Sequence, residues 1–102
     1  MSSRLDLHED LKGILGSNNV YFQPPPSVRM QYPAIVYSLD SFKIDHANNN
    51  KYRKFKRYKL TYIDADPDNE MVEKLLTTLP FCSFDRHFKS DNLNHYIFTI
   101  YN

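Results

Sequence analysis

One cysteine, Cys82, stands in 102 residues, so no intramolecular disulfide can form and the chain fits a reducing compartment. Tryptophan is absent and glycine occurs only at Gly13 and Gly16, which excludes a glycine-rich phosphate loop. No apolar run approaches the ~20 residues of a membrane span, and the opening MSSRLDLHED carries no signal-peptide core. The expectation is a soluble protein made in a cytoplasm, with no membrane partner. Charge of one sign is not in excess either. The net charge of +1 gives no global field that would recommend nucleic acid or a membrane surface. What remains is enough for one domain with a modest core: 41% hydrophobic and 25% charged residues, proportions that argue against disorder. Tyrosine and phenylalanine are abundant, as they are in cores and in surfaces that associate.

The stretch 34–64 organises the chain and reads as one long β-hairpin. AIVYSLDSFKID is rich in β-branched and aromatic residues, KYRKFKRYKLTYID alternates tyrosines with cations, and Asn48, Asn49 and Asn50 between them tolerate left-handed backbone. Strands of this length extend ~43 Å, whereas a compact domain of this size is ~33 Å across, so the tip must overhang. Lys51, Arg53, Lys54, Lys56, Arg57 and Lys59 place cations at both parities of the descending strand, which keeps that part out of the chain's own core. Nearer the base, Ile35, Tyr37 and Leu39 face Tyr58, Leu60 and Tyr62 in half-buried alternation. The apolar parity then switches to Phe42 and Ile44, which predicts a bulge near Asp40 and Ser41.

Around the hairpin the pattern predicts a helix over 3–15, capped by Ser2 or Ser3, carrying Leu7, Leu11, Ile14 and Leu15 and stopping at Gly16. A short strand follows at 20–22. Three consecutive prolines, Pro24 to Pro26, make the segment up to Pro33 an extended surface loop. Beyond the hairpin, the alternating acids Asp64, Asp66 and Asp68 resemble the start of a calcium loop. That pattern fails at its sixth position, Asn69, and its twelfth, Leu75. Asp66 as N-cap and Pro67 as first residue of a helix over 67–79 explain the same acids. Short strand 81–84, a polar connection over 85–92 and a final strand 93–101 complete the chain. The last has apolar residues at both parities, as an inner strand would. The order gives an α+β fold: a mostly antiparallel sheet with a long protruding hairpin and two helices packed on one face.

No cofactor or metal is expected. Cys82, His87, His95, Asp85 and Asp91 are the residues of catalytic type, but Cys82 lies in an apolar run where burial makes a thiol inert, and Cys82, His87 and His95 lack the paired spacing of structural zinc. His8 and His46 are isolated. The chain reads as a binding or structural protein, not an enzyme. Two surfaces carry that reading. Arg86, between Phe84 and Phe88, has the make-up of an interface anchor or of a self-bonded loop. In the basic run, Lys51, Tyr52, Arg53, Lys54, Phe55, Lys56 and Arg57 suit either a partner subunit met by an arm that stays soluble alone, or nucleic acid met by phosphate neutralisation and base stacking. Charge composition does not separate the two.

The residues Tyr21-Phe22-Gln23-Pro24-Pro25, Tyr32-Pro33, the acidic helix start over 64–70 and the block over 81–87 give the chain, from about Ile14 to Tyr101, a further likeness. It resembles the small tail-completion proteins of long-tailed bacteriophages and prophages of Gram-positive bacteria, the tail-terminator or head–tail joining proteins. The resemblance implies a virion assembly protein of the host cytoplasm and the virion neck. Such a protein forms a ring, hexameric on the tail, that caps the tube protein, meets the head connector and lets DNA pass through its lumen. It carries over no individual binding residue.

Overall fold

The computed structural model describes residues 4–46 and 52–102, with backbone alone for 43–46 and 52–55. Lys51 and the asparagine turn lie outside the described residues, as do Ser2 and Ser3, the expected caps. The fold is α+β, with helix α1 (Arg4–Leu15), strands β1 (Val20–Phe22), β2 (Ala34–His46) and β3 (Tyr52–Asp64), helix α2 (Met71–Thr78), and strands β4 (Cys82–Ser90) and β5 (Leu93–Tyr101). The five strands form one sheet in the order β1-β2-β3-β5-β4, antiparallel except where β1 runs parallel to β2. β5, the strand apolar at both parities, lies between β3 and β4.

Register explains the core. Ile35, Tyr37, Leu60, Tyr62, Tyr96 and Phe98 share one face through the pairs Ile35↔Tyr62, Tyr37↔Leu60, Tyr62↔Tyr96 and Leu60↔Phe98. Both helices bury their apolar residues in the same cluster, Leu7, Leu11 and Ile14 from α1 and Leu75 from α2. Helices therefore cover one face of the sheet, and edge-to-face aromatic pairs such as Tyr37–Tyr58, 5.9 Å between ring centres, fill the layer between them.

Helix α1 ends where Gly16, at φ 79°, donates its N–H to Lys12 O (2.8 Å), a left-handed cap that a Cβ disfavours. Helix α2 starts later than its acids suggest, at Met71 instead of residue 67. Asp66 is not its N-cap. Its Oδ1 accepts the Asp68 N–H, just as Asp64 Oδ1 accepts the Asp66 N–H, both at 2.9 Å. These side-chain turns hold 64–68 out of the helix. The helix ends at Thr78 because Leu79 precedes Pro80 and is extended, with ψ 127°.

The 85–92 segment corrects the expected polar connection, and the expected strand 81–84 grows to β4. All but Asp91 and Asn92 belong to strands, and these two, at φ 53° and 64°, form a two-residue turn. Positive φ at both positions matches the right-handed twist of the flanking strands, so the chain reverses at once. β4 is polar because it is an edge strand, exposed from Ser83 to Ser90. A bulge at Asp85, between Phe84 and Arg86, bends it.

Candidate functional site

Two strands leave the body of the sheet together. β1 pairs with β2 only at Ile35, Val36 and Tyr37, and β5 reaches β3 no further than Arg57. Asn102 adds two backbone bonds with Lys56, at 3.2 and 3.0 Å. Beyond that level, among the described residues, β2 and β3 pair only with each other, through Lys43↔Phe55, Ile44↔Lys54, Asp45↔Arg53 and His46↔Tyr52. This two-stranded extension contributes to a long axis of 51 Å, against 27 and 23 Å across.

Its base is built with care. The bulge foreseen near Asp40 and Ser41 lies between Leu39 and Ser41. It frees Asp40, whose Oδ2 accepts from Arg57 Nε at 2.8 Å across the strands. Arg57 also bonds the Tyr101 hydroxyl, and these partners raise its pKa and keep the cation firmly charged. Where β1 stops, Gln23 takes over as pairing partner: its N–H donates to Tyr37 O (3.0 Å) and its Oε1 accepts the Leu39 N–H (3.1 Å). Gln23 at φ 45° then turns the chain into the prolines.

The predicted site residues separate accordingly. Tyr52, Arg53, Lys54 and Phe55 take successive positions on the ribbon part of β3, Lys56 is exposed at its base, and Arg57 is half-buried and paired. Tyr58, the third aromatic interleaved with the cations, is 2% exposed and belongs to the core, so no base can stack on it. Arg86 is on the far edge of the sheet, on β4, its guanidinium 5.7 Å from the Phe88 ring centre. It does not join the ribbon.

The residues of catalytic type do not converge. Cys82 opens β4 at the level of Ile100, His87 is opposite Tyr96, and His95 is opposite Phe88 on the other face. Burial, with Asp85 adding to it, pushes the Cys82 thiol up to about 11. His87 stacks on Tyr96 (4.6 Å) and its Nε2 meets Asn94 Oδ1 at 3.0 Å. Asn94 Nδ2 donates to the carbonyls of Asp64 (3.3 Å) and Ala65 (3.5 Å), which leaves Oδ1 as acceptor and sets Nε2 of His87 as donor. His95 stacks on Phe88 at 4.8 Å.

No protein-family model and no curated protein matches the chain.

The opposite end of β3 holds a surface that sequence reasoning missed. A groove of about 560 Å³ between the 64–70 loop and α2 is lined by Tyr62, Asn69, Glu70, Met71, Glu73, Lys74 and Thr77. Asn69 shapes it, donating from Nδ2 to Asp66 O (2.9 Å) and to the Tyr96 hydroxyl (3.2 Å) and accepting the Met71 N–H (3.1 Å). Tyr62 donates to Asp64 Oδ2 at 2.5 Å. Burial and then this carboxylate push the Tyr62 phenol well above its ordinary value. The run of acids was the only sequence signal, because the groove itself depends on α2 starting at Met71.

Proposed function

We propose that this chain is a structural assembly protein that works by docking its cationic β2–β3 ribbon on other subunits. The phage tail-terminator or head–tail joining ring is the specific form in which it does so. The observation that carries the reading is the ribbon itself: paired strands continue past every flanking strand, carrying Arg53, Lys54 and Lys56 to where the chain's own core has nothing to offer. Extended backbone there has no further strand beside it among the described residues, and an incoming strand or subunit gains main-chain hydrogen bonds along such an edge. An arm that reaches the next copy is also how a small domain builds a large heterologous interface, and such interfaces close into rings. The likeness to tail-completion proteins adds the tube, the connector and the lumen.

Light scattering over a range of concentrations, with and without tail-tube protein, tests this. Ring-sized species on tube ends are expected. A chain that stays monomeric and never joins tubes contradicts it. Nucleic acid is the second reading, supported by the same cations. It predicts DNA affinity falling steeply with salt and a shallower slope for Lys54→Ala/Lys56→Ala/Arg57→Ala.

A further inference from the structure

Charge is segregated along β3. From Tyr52 to Lys59 the chain has five cations and no acid; from Asp64 to Glu73 it has five carboxylates and no cation. The strand holds the two sets apart. Arg53 and Asp64 are ~36 Å from each other at ~3.3 Å per residue, well beyond a Debye length of about 10 Å at 0.1 M salt. One chain's ribbon therefore cannot serve its own carboxylates. Among the described residues no cation pairs with Asp64, Asp66, Asp68, Glu70 or Glu73. Lys74, which lines the same groove, is engaged elsewhere, donating from Nζ to Ile14 O at 2.7 Å.

We infer that the groove between the 64–70 loop and α2 receives the cationic part of β3 from a second copy of this chain. Half-buried Met71 gives the groove an apolar wall above the buried Tyr62, and Glu70 and Glu73 are exposed carboxylates at its rim. That combination suits a lysine or arginine, whose stem lies on apolar surface while its charged head meets the carboxylate. Donor and acceptor are different surfaces of the same molecule, so the contact is heterologous and propagates head to tail until it closes. The inference deepens the ring reading and rests on it only in taking the ribbon as a docking arm. It needs neither tube nor connector.

Sedimentation equilibrium of the purified chain at several salt concentrations tests it. Association is expected to weaken with salt and to fall about tenfold or more in Glu70→Lys/Glu73→Lys and in Lys54→Glu/Lys56→Glu. Mixing the two reversed variants restores association at one-to-one stoichiometry, the two chains alternating, which neither shows alone, while unchanged thermal unfolding shows that both are folded. A strict monomer, association indifferent to salt and to both variants, or a ribbon that binds an oligonucleotide without self-association overturns it. If charge-dependent association holds while tube capping fails, the tail assignment falls and this contact stands. Tube capping that survives both reversals removes the contact and leaves the tail assignment.

Discussion

Single side chains give the sharpest chemistry. With its pKa pushed up to about 11, the Cys82 thiol is almost wholly protonated near pH 8. A thiol-directed reagent should label the folded chain about two orders of magnitude more slowly than a free cysteine. Labelling at the free rate contradicts the burial argument. His8 makes a different case. Tyr37 oxygen accepts from Arg4 Nη1 (3.3 Å), so its O–H is placed to donate to His8 Nδ1 (2.7 Å), an arrangement that suits a neutral ring. Burial first, then Lys12 and Arg4, lowers the His8 pKa below 6.5. In the window below about 6.5 the unfolded chain binds a proton that the folded chain refuses, so stability falls as pH drops and is complete above that window. His8→Gln should flatten the acid side of a melting-temperature profile against pH. An unchanged profile contradicts the assignment.

Elements differed in how much the sequence revealed about them. The buried alternation of Ile35, Tyr37, Leu60 and Tyr62, the α1 stripe and the bulge beside Asp40 were legible because each is a local periodicity or a break in one. The start of α2 was not, since acids that suit a helix N-terminus suit backbone-bonding turns equally well, and here Asp64 and Asp66 chose the turns. β4 was hidden because an edge strand needs no apolar face, so its polar run looked like a loop. The signal was Asp91-Asn92, two residues able to take positive φ between two strands. In that turn Asn92→Ala should cost about 1 kcal/mol in a denaturant titration, the price of a left-handed residue without a polar side chain. Asn92→Gly should be neutral or stabilising. Equal stability of the alanine and glycine variants contradicts the turn geometry.

Over the whole molecule, two halves of one sheet differ in what surrounds them. The half beneath the helices supplies cohesion, with Leu60 and Phe98 fully buried at its centre. The half beyond Arg57 is a ribbon with no flanking strand among the described residues, and Arg53, Lys54 and Lys56 are placed on it. The groove at the other end of β3 carries the opposite charge. The charge run was legible in the sequence; what hid the groove was that its walls come from a loop and a helix joined only in three dimensions.

Amide hydrogen exchange tests the central claim most directly, comparing 42–46 and 52–55 with the core half of β3 at 58–63. In the dilute chain the ribbon amides should exchange far faster than those at 58–63, and they should become protected on self-association or on adding tail-tube protein. Ribbon amides as slow as the core half in a dilute monomer, and unchanged by either partner, would contradict the account.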